Sequence, residues 1–376
     1  MIDYRSLNVT EIINASGTLT VLGGSLMAPE VLEAMAKAAG SFVGLNQLLE
    51  KSGAYLAERL GVGGALIVNG AAAGMITAIS ACMAGDDIAR IRNLPVADDL
   101  KNEAIVFKSH RNLYDQALRQ TGVRIREIGL SDFSFEWDLR SAFTEKTCAV
   151  VYYAEFADQP GSIPLSKVIQ IAKEFETPVI VDAAAELPPV ENLWNYYRAG
   201  ADLVLFSGGK DLRGPQSAGL MVGSEKMITL CRLNGFPNYG IARPCKAAKE
   251  EIMGMVTAID LYLQEDHVGR FRLWEKQAAT FLEALKPISE INPRQVFPGT
   301  DYIRPAVIPR VYFELPTSSA AEAEKFQLAL MNGDPGVAIA REGRRLIFNP
   351  HMLKPGEEVL VAEKVNALLH SFLNDK

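Results

Sequence analysis

The stretch PVIVDAAAELPP at 178–189, followed by ADLVLFSGGKDLRGPQSAGLMVG at 201–223, decides the fold. It contains two short apolar runs, at 179–181 and at 203–206, separated by a segment of helical character. Short apolar runs of this kind are typical of the strands of a parallel α/β sheet in which both faces are buried. We therefore predict an α/β fold built on a mostly parallel sheet that is flanked by helices.

Chemically active side chains follow both apolar runs. Asp182 ends the first run, and Ser207, two glycines and Lys210 follow the second. The carboxyl ends of parallel strands are where such sheets hold ligands. An acid and a lysine at one sheet edge suit a pyridoxal phosphate enzyme, in which the lysine attaches the cofactor as a Schiff base and the carboxylate keeps the pyridine nitrogen protonated. A structural salt bridge gives the same pattern, and the spacing alone does not separate the two.

Three segments carry a resemblance to a known family. FSGGKDLRGPQSAGLMVG at 206–223 resembles the cofactor-lysine segment of the selenocysteine-synthase-like branch of fold-type-I pyridoxal phosphate enzymes. INASGTLTVLGGSLM at 13–27 and VNGAAAGM at 68–75 are similar to the same branch. The resemblance implies pyridoxal 5'-phosphate on Lys210, with Asp182 at its ring nitrogen and Ser207 among the cofactor contacts.

A turn of small residues follows the strand predicted at ALIVNG, residues 65–70. A strand, a tight turn and the start of a helix together form an anion site, because free backbone N–H groups and the helix dipole point at the turn. We predict that the cofactor phosphate binds at Gly70, Ala71 and Ala72. Close packing of the helix against the sheet selects the same small residues, and from the residues alone it is the alternative interpretation.

Further candidate site residues stand near predicted strand ends and turns. His110 and Arg111 follow the strand predicted at 104–108. In fold-type-I enzymes a ring commonly stacks on the cofactor near this point, so the resemblance makes His110 a catalytic and cofactor-binding candidate. Arg111 and Arg213 are candidates for an anionic substrate, because a guanidinium group binds phosphate or carboxylate through a fork of donors. Arg243 is a third candidate, because its segment resembles an active-site loop of this branch. Solvated helix starts and surface ion pairs are the alternatives.

Length and composition indicate a globular protein with two domains. The chain has 376 residues, of which 48% are hydrophobic, and this is enough for a large core. We predict an N-terminal arm at 1–27, a large pyridoxal-phosphate-binding domain at 28–255, and a small C-terminal α+β domain with connecting helices at 256–376.

Charge and cysteine usage limit the binding partners and the cellular location that the sequence predicts. The net charge of -7, from 45 acidic and 38 basic residues, disfavours nucleic acid. The four cysteines lie apart, without CxxC spacing, so neither a metal site nor a disulfide framework is predicted. The N-terminal residues lack the apolar run of a signal peptide or membrane span, so we expect a cytoplasmic location without a membrane partner. The family resemblance implies a homodimer or a higher homo-oligomer.

The resemblance also implies a reaction. It points to the shorter D-glucosaminate-6-phosphate ammonia-lyase type, and hence to a lyase that eliminates a beta substituent and ammonia from a small anionic amino acid or amino-sugar acid, giving a 2-oxo acid. Removal of the alpha proton by Lys210 is shared with racemases and transaminases, and an amino-acid racemase or aldolase remains an alternative. A selenium transferase acting on seryl-tRNA is disfavoured, because the opening motif lies so near the start of the chain and residues 19–24 replace a polar run of that group.

Overall fold

The computed structural model describes residues 2–297, 304–317 and 319–374. The strands in these residues are β1 (Ile12–Ala15), β2 (Gly64–Val68), β3 (Glu103–Phe107), β4 (Arg124–Ile128), β5 (Thr147–Tyr153), β6 (Val179–Asp182), β7 (Leu203–Ser207), β8 (Gly219–Gly223), β9 (Arg294–Val296), β10 (Arg310–Glu314), β11 (Gly336–Glu342) and β12 (Arg345–Phe348). The α-helices are α1 (Pro29–Ala39), α2 (Leu45–Leu60), α3 (Gly70–Ala84), α4 (Ile88–Asn93), α5 (Asp115–Arg119), α6 (Glu136–Ala142), α7 (Leu165–Glu174), α8 (Asn192–Arg198), α9 (Glu225–Asn234), α10 (Lys249–Gln264), α11 (His267–Leu285), α12 (Ala320–Met331) and α13 (Glu357–Asn374).

These elements form two compact units. The larger unit is Leu26–Gln264, and the smaller one combines the described residues of Met1–Ser25 with those of Glu265–Lys376. The boundary therefore differs from the predicted one at 255. The physical reason is that the whole of α10 belongs to the larger unit. This helix packs along α1 and buries Ile252 and Ile259 in the core of that unit.

The larger unit is built on a seven-stranded sheet in the order β2-β8-β7-β6-β5-β3-β4. The strands from β7 to β4 run parallel to one another, whereas β8 is antiparallel to both β7 and β2. Every residue of β2 and β5 is buried, and the helices cover both faces. This confirms the prediction of a mostly parallel sheet flanked by helices.

The smaller unit contains a five-stranded sheet in the order β1-β11-β12-β10-β9. The N-terminal strand β1 pairs in parallel with β11, in a register that aligns Ile12 with Gly336, and the other pairs are antiparallel. The predicted N-terminal arm therefore contributes a strand to this unit. Its core combines aliphatic side chains with phenylalanine rings, and Phe281 and Phe348 stack with their centroids 4.0 Å apart.

The described residues contain neither a membrane-spanning helix nor a metal cluster. Within the ranges given above, no α-helix is both long enough and apolar enough to cross a bilayer. The same residues hold no group of three or more His, Cys, Asp or Glu side chains arranged to bind a metal ion. The four cysteines are unbridged thiols, and burial raises the pKa of the Cys148 thiol to about 12, so this thiol is unreactive at neutral pH.

Candidate active site

The ends of two adjacent strands bring Asp182 and Lys210 to one edge of the large sheet. Asp182 is the last residue of β6, which runs parallel to β7. Ser207 is the last residue of β7, and the turn that begins there carries Lys210. The two charged groups are close enough for the positive charge of Lys210 to lower the pKa of the Asp182 carboxyl. The predicted carboxylate and lysine thus lie in one site.

The Asp182 carboxyl is held in a poorly solvated environment. Its Oδ1 atom accepts a hydrogen bond from the backbone N–H of Ala184 at 3.0 Å. Burial raises the pKa of Asp182 above its ordinary value, although the hydrogen bond and the charge of Lys210 oppose this shift. A carboxylate shielded from water gains more from a cationic partner than an exposed one does. The site therefore favours a ligand that presents a positive charge to Asp182.

The turn that carries Lys210, called the lysine turn below, needs two glycines, because other parts of the chain approach its backbone closely. A Cβ atom on Gly209 would lie 2.5 Å from the Cα atom of Gln216. A Cβ atom on Gly208 would lie 2.6 Å from the Sδ atom of Met255 and 2.7 Å from the carbonyl oxygen of Ala218. Because backbone cannot yield at such distances, the turn is confined between its own return strand and α10.

A buried hydrogen bond anchors the residue after the lysine. The Tyr262 hydroxyl, on α10, donates to Oδ2 of Asp211 at 2.6 Å. Both side chains are almost completely buried. Sequence analysis missed this pair, because the two residues lie 51 positions apart and nothing local links them.

The start of α3 has the geometry predicted for an anion site. The helix begins at Gly70, whose φ of +72° lies in the left-handed region that favours glycine. A Cβ atom on Gly219, in the neighbouring strand β8, would come within 2.8 Å of the Gly70 backbone. Ala71 and Ala72 follow in the first turn of a 15-residue helix, where backbone N–H groups have no partner within the helix. Small residues therefore line this turn on both sides.

The loop after α9 is tied to the start of α3 and carries Arg243. The side-chain amide of Asn69 donates to the carbonyl oxygen of Lys246 at 2.8 Å. The Arg243 guanidinium carbon lies 5.2 Å from the ring centroid of Phe236 and 5.5 Å from that of Tyr239. Its Nε atom is buried and has no hydrogen-bond partner among the described residues. Two rings thus hold a guanidinium group near the helix start. Asn69 had no role in the sequence analysis.

Arg213 lies in the lysine turn in an unusual backbone conformation. Its φ is +52°, and its backbone N–H donates to the carbonyl oxygen of Lys210 at 3.0 Å. A residue other than glycine in the left-handed region carries strain of about 1–2 kcal/mol. Strain of this kind is found where the surrounding structure requires a particular side chain at that point.

His110 occupies a different position from the one predicted. Its ring is completely buried, so no face of it is available to stack on a cofactor. Nδ1 accepts the backbone N–H of Tyr153 at 3.3 Å, and Nε2 lies 2.6 Å from Oγ of Ser162, which itself donates to the carbonyl oxygen of Phe156. These contacts assign the ring proton to Nε2. Burial lowers the pKa of His110 to about 4, so the ring is neutral and supports the end of β5.

Arg111 is also placed differently from its prediction. Its Nε atom donates to Oδ2 of Asp115 at 2.6 Å, and its Nη1 atom donates to Glu127. The guanidinium group is thus paired with two carboxylates, one of them on the adjacent strand β4. A cluster with two negative charges and one positive charge repels an anionic substrate. Arg213 and Arg243 remain as candidates for that role.

Comparison with known proteins identifies the family. The family model described as SelA, L-seryl-tRNA selenium transferase, matches residues 12–277, which include every strand of the large sheet. The chain belongs to this family. The match confirms the resemblance that the segments around Lys210, Gly70 and the N-terminus carry.

Relatives in this family have several activities. The D-glucosaminate-6-phosphate ammonia lyase of Salmonella typhimurium (strain 14028s / SGSC 2262) is 34% identical over 290 residues, 76% of this chain and 75% of the relative. The 5'-C-glycyluridine monooxygenase-decarboxylase of a Streptomyces species is 36% identical over 69% of this chain and 65% of its own. The L-seryl-tRNA(Sec) selenium transferase of Alkaliphilus metalliredigens (strain QYMF) is 25% identical over 74% of this chain and 62% of its own. The chain thus matches less than two thirds of the length of each of the last two relatives.

Solved structures agree with this assignment. The structure of a D-glucosaminate-6-phosphate ammonia-lyase superimposes with a TM-score of 0.84 and 29% identity, covering 98% of each chain. A serine palmitoyltransferase from S. paucimobilis with bound pyridoxal phosphate has a TM-score of 0.61 and 17% identity, and covers 96% of this chain and 88% of its own. The family member described here therefore has the fold of fold-type-I pyridoxal phosphate enzymes.

Proposed function

We propose that the chain is a pyridoxal-phosphate-dependent lyase that releases ammonia from a small anionic amino-sugar acid or amino acid and forms a 2-oxo acid. The observation that carries the proposal is that Lys210 and Asp182 follow the carboxyl ends of β7 and β6 closely enough for the charge of Lys210 to act on the Asp182 carboxyl. The ammonia lyase from Salmonella, at 34% identity, supports the choice of reaction and makes D-glucosaminate 6-phosphate the first substrate to test.

The residues present fit pyridoxal phosphate. The cofactor offers an aldehyde, a basic ring nitrogen and a phosphate, and the site offers an amine, a shielded carboxylate and a helix start lined by small residues. Lys210 would hold the aldehyde carbon, and Asp182 the ring nitrogen. The backbone at Gly70, Ala71 and Ala72 would hold the phosphate, with Ser207 at the end of β7 as a further contact.

The chemistry that pyridoxal phosphate supplies when bound is an electron sink for a bond broken at the substrate's alpha carbon. Lys210 then has a free amine, and this amine takes the alpha proton. The Asp182 carboxyl would hold the ring nitrogen in its protonated form. The Lys210 ammonium group would return the alpha proton to the beta hydroxyl, which would leave as water, and the enamine released would react with water to give ammonia and a 2-oxo acid. The water lost in elimination is regained in hydrolysis, so the net change is the loss of ammonia.

Two arginines would bind the anionic groups of the substrate. Arg213 lies three residues beyond Lys210 in a strained turn, and the two rings beside Arg243 hold its guanidinium group near the start of α3. A guanidinium group binds carboxylate or phosphate through two parallel hydrogen bonds. We assign Arg213 and Arg243 to substrate binding, and we withdraw Arg111 from this role because two carboxylates already neutralise it.

A second candidate function is oxidative decarboxylation. The relative named as a 5'-C-glycyluridine monooxygenase-decarboxylase is 36% identical, which is no lower than the identity to the ammonia lyase. Elimination and decarboxylation both break a bond at the alpha carbon and use the same lysine and carboxylate, so the residues of the site are compatible with either reaction.

One experiment separates these functions. The purified protein, loaded with pyridoxal phosphate, is incubated with D-glucosaminate 6-phosphate with and without oxygen, and ammonia, 2-oxo acid, carbon dioxide and oxygen are measured. We expect equal amounts of ammonia and 2-oxo acid, independent of oxygen, and no product from Lys210→Ala. Oxygen consumption with release of carbon dioxide would support the second candidate. Exchange of the alpha hydrogen in deuterated solvent without ammonia release would indicate a racemase, and release of an aldehyde by cleavage between the alpha and beta carbons would indicate an aldolase.

The assembly and the location of the protein remain part of the proposal. The family resemblance is the basis for a homodimer or larger homo-oligomer. The composition, with scattered cysteines and a net charge of -7, is the basis for a cytoplasmic enzyme without a nucleic-acid or membrane partner. Measuring the mass of the purified protein by light scattering tests the homo-oligomer, and a single-chain mass would contradict it.

A further inference from the structure

One side of α10 lies along the lysine turn. A Cβ atom on Gly208 would lie 2.6 Å from the Sδ atom of Met255, and a Cβ atom on Gly214 would lie 2.8 Å from the same sulfur. Met255, Ala258 and Tyr262 are spaced three and four residues apart, so they lie on the same side of the helix. The turn therefore contacts α10 at both of its ends.

The core of the larger unit holds α10 in place. Ile252, Met255 and Ile259 are completely buried. Towards α1, a Cβ atom on Gly254 would lie 2.7 Å from the Cγ atom of Met35. Because protein interiors are closely packed, a helix with such contacts does not shift to follow a neighbouring turn. The helix α10 thus gives the lysine turn a rigid support.

The hydrogen bond from Tyr262 to Asp211 is the polar part of this contact. Both residues are 1% exposed, and the Tyr262 hydroxyl oxygen lies 2.6 Å from Oδ2 of Asp211. A hydrogen bond to a carboxylate is stronger than one between neutral groups, and it restrains direction as well as distance. It therefore holds the Asp211 side chain more closely than apolar packing does.

Lys210 is the residue directly before this anchored aspartate. Lys210 and Arg213 are half-buried, whereas Asp211 and Leu212 between them are buried almost completely. The turn thus leaves Lys210 accessible while the next residue is held against α10. Because a rigid peptide unit joins Lys210 to Asp211, a displacement of Asp211 also displaces the backbone of Lys210.

The position of Lys210 affects both of its proposed steps. Its amine attaches the cofactor aldehyde, and it later removes the alpha proton of the substrate. Each step needs the reacting atoms about 3–3.5 Å apart, and a misplacement of about 1 Å lowers a rate about a hundredfold. A device that fixes the backbone of Lys210 is therefore important for the reaction.

We propose that Asp211 and Tyr262 are positioning residues, which hold the backbone of Lys210 so that its amine reaches the cofactor aldehyde and the alpha proton of the substrate. This inference rests on the proposed function, because it requires Lys210 to be the cofactor lysine and the base. Both side chains are buried, so they act through Lys210 and not on a ligand.

The test compares Tyr262→Phe with Tyr55→Phe. Tyr55, on α2, also donates a hydrogen bond to an aspartate, but its acceptor Asp260 belongs to α10 and not to the lysine turn. The first readout is the rate at which the cofactor-free protein forms the absorption band of a lysine-bound cofactor after pyridoxal phosphate is added. The others are kcat and KM for D-glucosaminate 6-phosphate, per bound cofactor, and the melting temperature.

For Tyr262→Phe we expect band formation and kcat to be at least about tenfold slower, because Lys210 is no longer held at the reacting distance. The KM should change by less than about twofold, since the groups that bind the substrate are unchanged. With alpha-deuterated substrate the isotope effect on kcat should increase, because proton removal becomes slower relative to the other steps. Tyr55→Phe should keep the wild-type rates.

A double variant separates position from stability. Asp211→Leu combined with Tyr262→Phe replaces both partners by apolar groups of similar shape, so it should recover the melting temperature that Tyr262→Phe loses. We expect band formation and kcat to stay slow, because apolar packing does not restore the direction of a hydrogen bond. The double variant also provides the test if Tyr262→Phe alone does not fold.

Wild-type rates in either Tyr262→Phe or the double variant would overturn the inference, and so would an equal loss of rate in Tyr55→Phe. If the wild type itself does not form the band, the proposed function fails together with this inference. A wild-type band without product contradicts only the proposed reaction, and the rates of band formation in the variants then decide the role of Asp211 and Tyr262.

Discussion

Tyr262 donates a hydrogen bond to Asp211 at 2.6 Å inside the larger unit, directly beside the lysine turn. This contact joins α10 to the residue that follows Lys210. The helix also presents Met255 to Gly208, where a Cβ atom would lie 2.6 Å from the sulfur. Contacts with α10 therefore help the sheet to hold Lys210 in position.

The first prediction concerns this hydrogen bond. Tyr262→Phe should lower the free energy of unfolding of the cofactor-free protein by about 1–3 kcal/mol, because a buried carboxylate loses a donor. Urea denaturation measures the change. Tyr153→Phe is the matched control, since it removes a buried hydroxyl that has no partner among the described residues and should not destabilise the protein. Equal stabilities of the two variants would contradict this prediction.

The second prediction concerns pH. The pKa of His110 is lowered from 6.5 to about 4, so between these values the unfolded chain binds a proton that the folded protein does not. Stability is therefore highest above pH 6.5 and falls as the pH decreases towards 4, by up to ~3 kcal/mol. In His110→Gln this part of the pH dependence should disappear. Urea denaturation at several pH values gives the free energy of unfolding for the variant and the wild type. If both free energies change with pH in the same way, His110 does not cause the pH dependence.

The third prediction concerns the strained turn. Arg213→Gly should be more stable than Arg213→Ala by about 1 kcal/mol, because glycine adopts a φ of +52° without strain and alanine does not. Both variants lose the same guanidinium group, so the difference between their stabilities reports the backbone strain at this position. Thermal unfolding measures it, and an alanine variant at least as stable as the glycine variant would contradict the account.

The same arginine tests substrate binding. Arg213→Ala should raise KM for the phosphorylated substrate more than for the unphosphorylated acid if the guanidinium group binds the phosphate, and for both equally if it binds the carboxylate. Arg111→Ala is the comparison, because its guanidinium group is paired with Asp115 and Glu127. A larger KM effect from Arg111→Ala would reverse the assignment.

Local signals predicted most of the larger unit. The strand predicted at 65–70 corresponds to β2, Gly64–Val68, and the helix expected after it begins at Gly70. The strand predicted at 104–108 corresponds to β3, Glu103–Phe107. The apolar runs before Asp182 and Lys210 were sufficient to place these residues at one sheet edge, because parallel strands end on the same side.

Contacts between distant residues could not be predicted in this way. The strand β1 pairs with β11 about three hundred residues later, and neither sequence shows which partner it has. Arg111 looked suitable for an anion, but its second carboxylate, Glu127, comes from the next strand. The family resemblance made His110 a candidate for cofactor stacking, whereas its environment is set by Ser162 and Tyr153, more than forty residues away.

The near-visible absorption spectrum of the purified protein with pyridoxal phosphate tests the central claim most directly. The wild type should develop the absorption band of a lysine-bound cofactor and retain it after desalting. Lys210→Ala should lack this band, and Asp182→Ala should bind the cofactor more weakly. Failure of the wild type to develop the band, or an unchanged band in Lys210→Ala, would contradict the account.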